Sequence, residues 1–150
     1  MFVGDGELRL ELERFVSDQG FQRVRFLGFH NQTEISKAYV AADLLVLPSD
    51  YETWGLVVNE AMCSSLPIVA GDRVGSAVDL VRNGYNGYTF PSGDVPALAQ
   101  RLAPLLSDAE LRQRMGENSR KVISSWGLDE TASGIVRAAL SVGGQQRKDC

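Results

Sequence analysis

"DLLVLPSDYETWGLVVNEAMCSSLPIVA", residues 43–70, decides how this chain is read. It opens with one apolar run, "DLLVLP" (43–48), and closes with another, "PIVA" (67–70). Both are nearly all apolar, as strands buried on both faces are. Between them, 55–64 reads as a helix. Strand, helix, strand in that order is the unit of a parallel sheet. Working outward, "MFVG" (1–4), "VRFLG" (24–28) and "GYTF" (87–90) read as further strands. In 7–19, Leu8, Leu12, Phe15 and Val16 fall on one helical stripe. Helices are also expected at 33–42 and 76–82. Three more, at 94–106, 108–124 and 128–141, follow without intervening strands, with Asp94 and either Ser107 or Asp108 as N-caps. Alternating strands and helices predict an α/β fold, a doubly wound parallel sheet of Rossmann-like type. We expect one domain over 1–142 and a flexible tail over 143–150.

The totals exclude several classes. The 150 residues are enough to bury a core, and the composition, 44% hydrophobic and 23% charged, is that of an ordinary globular protein. Net charge is −4 and the 15 Lys and Arg are spread along the chain, so no nucleic-acid surface is expected. No apolar run approaches the roughly 18 residues of a membrane span, and no signal peptide opens the sequence. Cys63 and Cys150 show no metal-ligand spacing. Cys63 is expected to be a small buried thiol, and Cys150 a tail residue, in a reduced cytoplasmic protein. No metal site is expected, because acids and the single histidine, His30, do not cluster at ligand spacing.

Ligands of such sheets bind beyond the carboxyl ends of the strands. "GDGELR" (4–9) begins like a dinucleotide fingerprint, but Arg9 stands where the third glycine belongs, so a tight strand-to-helix turn is the simpler reading and a full NAD site is not expected. "PSDYETWG" (48–55) carries more. If Gly55 opens the helix, the N–H groups of Gly55, Leu56 and Val57 have no carbonyl partners within it. Free amides and the positive dipole end attract phosphate or hydroxyl oxygens. Glu52 precedes the helix, and Glu60 lies about 7–8 Å along its axis. An ionised carboxylate is acceptor-only and suits the two hydroxyls of a diol. Two acids flanking a row of amides match ribose, pyrophosphate and hexose, the three parts of a nucleoside-diphosphate sugar. The plainer alternative makes Glu52 a helix-start acid and Glu60 a solvated residue, although Glu60 stands between "LVV" and "AM".

Residues 23–140 resemble the C-terminal, nucleotide-binding half of the GT-B retaining glycosyltransferases, group 1 or family 4 type. The resemblance rests on two glutamates with seven residues between them, the second followed by Ala-Met, here Glu52, Glu60, Ala61 and Met62. It extends over "FLGF", "AADLLVLPS" and "LPIVAGDRVGSAVDLVRNGYNGYTFPSGDVPALA". The resemblance implies that Glu52 is the catalytic-site acid, contacting donor-sugar hydroxyls, and that Glu60 holds the ribose diol. It further implies that the amides of Gly55, Leu56 and Val57 meet sugar and pyrophosphate, and that Gly28, Phe29 and His30 border the nucleobase. No cofactor is implied; the nucleoside-diphosphate sugar is substrate. Surface polysaccharide or glycolipid synthesis is the implied setting, in the cytoplasm or peripherally at the inner membrane face.

The same resemblance implies parts that these residues do not supply. One is a first strand and loop carrying an Arg and a Lys for the pyrophosphate; the other is the acceptor-binding N-terminal half. A truncated piece, weak in nucleotide binding and inactive alone, is therefore expected. The last helix crosses to the other half in that family, so Trp126, Ile135, Val136 and Leu140 are expected to leave an apolar face open to self-association or a partner polypeptide. Ser65 stands where a glycine is usual at a left-handed helix end. The competing reading is a non-catalytic interaction module that keeps the fold.

Overall fold

The computed structural model describes residues 1–145. Where one domain was expected over 1–142, contacts group the chain into two compact units, Met1–Ala42 and the residues from Asp43 onward.

The first unit holds helices α1 (Arg9–Asp18) and α2 (Gln32–Val40). The strands expected at 1–4 and 24–28 are not formed; a single parallel bridge joins Phe2 to Phe26. Its bonds run from Phe2 N–H to the Arg25 carbonyl (2.7 Å), and from Leu27 N–H to the Phe2 carbonyl (2.9 Å). The extended runs stop at Gly4 and Gly28, whose φ values of 131° and 74° leave the β region. The apolar stripe of α1 is real but unburied: Leu8, Leu12 and Phe15 are exposed, because a unit this small cannot cover them. Asn31 caps α2, accepting from the N–H groups of Thr33 and Glu34. The Asn31-x-x-Glu34 spacing is a cap signature that the sequence reading passed over.

The second unit is built on three parallel strands, β1 (Leu45–Leu47), β2 (Ile68–Gly71) and β3 (Gly87–Phe90), in spatial order β1-β2-β3. Helices α3 (Leu56–Cys63) and α4 (Gly75–Leu80) make the two crossovers. Helices α5 (Val95–Ser107), α6 (Ala109–Ile123) and α7 (Leu128–Gln145) follow. Asp94 and Asp108 are the caps, each with its carboxylate 2.9 Å from a backbone N–H three residues on. Every residue of β2 is buried, as its unbroken apolar run requires. Val69, Phe90, Leu105 and Met115 form the core between sheet and helices, each such side chain contributing about 1.5–3 kcal/mol. Asn86, fully buried, is satisfied: its amide donates to the Leu80 carbonyl (2.9 Å) and its Oδ1 accepts from Arg82 N–H (2.7 Å).

Cys63 is exposed, not buried. The inward stripe of α3 is Val58, Ala61 and Met62, and Cys63, two turns from the exposed Leu56, falls on the outer face. Helix α7 continues to Gln145, past the expected end at 141 and into the expected tail; residues 146–150, Cys150 among them, lie outside the described residues. Ile135, Val136 and Leu140 on α7 are exposed.

The end of α3 is a Schellman turn. The Leu66 N–H reaches the Ala61 carbonyl and the Ser65 N–H the Met62 carbonyl, both at 3.0 Å, with Ser65 left-handed at φ 58°. Ser65→Gly should therefore stabilise the chain by roughly 1 kcal/mol, since a side chain is strained there. A urea midpoint lower than that of the wild type would contradict the strain.

The turns after the strands are tied to one another. Asp72 accepts the Ser92 N–H at 2.9 Å, and that bond is the main cause holding its carboxyl below the ordinary value of 3.8. A depressed carboxyl adds stability that is fully present above its unfolded value and is lost as pH falls through the folded one. The stability gap between wild type and Asp72→Ala should accordingly be constant above about pH 5 and shrink below about pH 4. Thermal unfolding across that range is the check; a gap that does not change with pH contradicts the role of the charge.

Candidate functional site

Helix α3 starts beyond the carboxyl end of β1, where parallel sheets place their ligands. Its N-cap, Gly55, sits at φ 83° and makes no side-chain cap. A side chain at Gly55 would crowd Glu52 Cγ (3.1 Å), Val74 (3.2 Å) and Leu47 (3.3 Å) on top of the left-handed strain, so glycine is required twice over. Among the described residues, no carbonyl or side chain accepts from the N–H groups of Gly55, Leu56 and Val57; the first bond of the helix runs from Val58 N–H to the Gly55 carbonyl (2.9 Å). The helix therefore presents an open amino end with its partial positive charge.

Glu52 is half-buried in the preceding loop. Its N–H donates to the Arg73 carbonyl (3.1 Å), and its carbonyl accepts from Gly75 N–H (2.9 Å), forming an isolated parallel bridge with Val74. Next along, the Trp54 carbonyl accepts from Ser76 N–H (2.8 Å), and buried Ser76 Oγ donates to the Gly55 carbonyl (3.3 Å). The loop that carries Glu52 is thus fastened at both ends to the start of α4. Glu60 is half-buried, one turn after Leu56, which is 66% exposed. The inward stripe of α3 passes by Val58, Ala61 and Met62, and Glu60 stands beside it. Val57 is half-buried.

Gly28, Phe29 and His30 belong to the first unit. Gly28 is left-handed and its carbonyl accepts the Gly4 N–H (2.8 Å). Phe29 is exposed at 77%, and half-buried His30 has Nδ1 3.4 Å from the Gly28 carbonyl. The "GDG" turn is locked by Arg9, which pairs with Glu13 (2.9 Å) and Asp5 (3.2 Å), and these carboxylates, Glu13 first, raise the Arg9 pKa. Beside that turn is a shallow concavity of about 250 Å³ lined by residues including Phe2, Arg9, Leu12 and Phe26. Among the described residues, no group of three or more His, Cys, Asp or Glu could hold a metal, and no helix is long and apolar enough to cross a membrane.

Sequence reasoning missed Gly75, Ser76, Trp54 and Asn59 as supports of this loop. A Gly-Ser pair opening the helix after a strand was the only local signal for two of them.

Comparison with known proteins assigns the class. The family model described as glycosyl transferases group 1 matches residues 1–122. The chain belongs to this family of GT-B glycosyltransferases. It is 40% identical over 123 residues to sulfoquinovosyl transferase SQD2 of Arabidopsis thaliana, covering 80% of this chain and 23% of that protein. It is 37% identical over 120 residues to alpha-D-kanosaminyltransferase of Streptomyces kanamyceticus, covering 79% of this chain and 31% of that protein. Among solved structures, Anabaena HepE in complex with UDP and glucose superposes with a TM-score of 0.76 at 28% identity, over 93% of this chain and 39% of HepE. The chain thus spans less than half the length of each of these relatives.

Proposed function

We propose that this chain is the donor-binding part of a retaining glycosyltransferase that moves a sugar from a nucleoside diphosphate to an acceptor hydroxyl, in surface polysaccharide or glycolipid synthesis. The observation that carries the reading is the open amino end of α3, with three unpartnered N–H groups between Glu52 and Glu60. In this reading the amides of Gly55, Leu56 and Val57 take the diphosphate and sugar oxygens. Glu60 accepts from the ribose diol. Glu52 accepts from hydroxyls of the donor sugar and bears on positive charge developing at the anomeric carbon. As the bond to the diphosphate breaks, charge gathers on its oxygens, and donors aimed at that charge are the main electrostatic aid to catalysis. The acceptor is held by a separate domain, and the exposed face of α7 serves either that domain or self-association.

The diphosphate brings about two negative charges close to two carboxylates, and each contact with a cation at 4 Å is worth about 4 kcal/mol at an effective dielectric near 20. Three amides and a half-charge dipole do not replace such cations. Binding by the 150-residue chain should be on the order of millimolar or weaker, without transfer. Calorimetric titration with UDP-glucose and other nucleoside-diphosphate sugars tests this. A micromolar constant overturns the weak-binding reading, and no response of the Gly55–Val57 amide resonances at saturating nucleotide overturns the site.

A further inference from the structure

We propose that Trp126, far from Glu52 in sequence, is a positioning residue of the donor site: its ring holds Trp54 and, through Trp54, the loop 52–55. The proposal rests on the donor-site reading above. Trp54 stands between Glu52 and Gly55, so wherever its indole is fixed, the acid and the first free amide are fixed with it. That indole has two restraints. Its Nε1–H donates to Asn59 Oδ1 at 3.0 Å, tying it to the second turn of α3. Its ring packs on Trp126, with centroids 6.1 Å apart and planes tilted by 40°, an attractive aromatic geometry.

Trp126 is a firm support. Its N–H donates to the Ile123 carbonyl (3.0 Å), prolonging the end of α6, where Val122 and Ile123 are buried. The neighbouring Gly127 N–H is taken by Glu130 (3.0 Å) at the start of α7. Trp126 keeps 44% of its surface exposed, more than a residue placed only to fill the core would keep. It therefore joins the α6–α7 corner to the loop of the candidate site.

Hydrogen exchange of the 150-residue chain tests the support without any ligand. In Trp126→Ala, the Gly75 and Ser76 N–H groups, which bond to the Glu52 and Trp54 carbonyls, should exchange about tenfold faster while β2 amides keep their rates. Trp126→Phe should restore wild-type rates. If alanine prevents folding, Trp126→Leu keeps apolar volume and removes the ring. Unchanged rates at Gly75 and Ser76, or an equal rise throughout the second unit, overturns the proposal. A second readout follows UDP-glucose by the two indole resonances, the chain having only two tryptophans. Loss of the ring should weaken binding about fivefold and phenylalanine should rescue it. Equal affinity without the ring overturns the link to the site. A wild-type chain that ignores the nucleotide overturns the donor-site reading instead, and the exchange rates then still decide what Trp126 holds.

Discussion

Gly75→Ala is expected to destabilise the chain by about 3 kcal/mol, at the upper end for overpacking. A methyl group there would collide with the Thr53 carbonyl oxygen and lie 3.4 Å from the Trp54 Cα. These are backbone atoms that no rotamer change can move aside. Relief requires loop 52–55 and the start of α4 to separate, which stretches the bonds from Gly75 N–H to the Glu52 carbonyl and from Ser76 N–H to the Trp54 carbonyl. Stability and site geometry are lost together. For a chain of this size the midpoint of thermal unfolding should fall by roughly 10 °C. Urea unfolding followed by circular dichroism is the direct measurement, and a change within about 0.5 kcal/mol would mean the two segments do not approach as closely as described.

Glu60→Gln is expected to weaken nucleoside-diphosphate-sugar binding by about ten- to a hundredfold while leaving the fold intact. The substitution keeps the shape and removes the charge. Hydrogen bonds to a charged group contribute about 1.5–3 kcal/mol, and the amide can accept at only one of its two heads. Against millimolar binding the variant should show no saturation in the accessible range. Titration followed at the amides of Gly55, Leu56 and Val57 measures it. An unchanged constant removes Glu60 from the ribose. The same titration on Glu52→Gln should alter sugar preference more than affinity for the bare diphosphate, because Glu52 is assigned to the sugar.

The second unit was legible because its signals are local. "DLLVLP", "PIVA" and "GYTF" are apolar runs bounded by turn residues, and each holds a strand within a residue or two. Asp94 and Asp108 announced their helices by cap chemistry. Ser65 is left-handed as its place at a helix end implied. The first unit was not legible in the same way. Phe2 and Phe26 have strand-like neighbours, but a strand exists only where a partner extends the ladder, and Gly4 and Gly28 end it at one bridge. Cys63 was misplaced because Ala61 and Met62 just before it are apolar while the helical period turns it outward. At the candidate site, Gly55 and the two acids could be found from spacing. The supports could not: Ser76 meets the Gly55 carbonyl across 21 positions, and Trp126 meets Trp54 from another helix corner. Contacts of that kind are properties of the folded chain, not of any window of sequence.

The three turns beyond the strands share their fastenings. Ser92 N–H goes to Asp72, Ser92 Oγ to the Ser49 carbonyl (3.3 Å), and Glu52 N–H to the Arg73 carbonyl. Residues linked in this way do not vary independently, and their substitutions do not add. Exchanges at positions 72 and 92, whose side chains make these bonds, should therefore be concerted, with single replacements penalised. Libraries in this part of the fold would have to vary the three turns together to keep the chain stable.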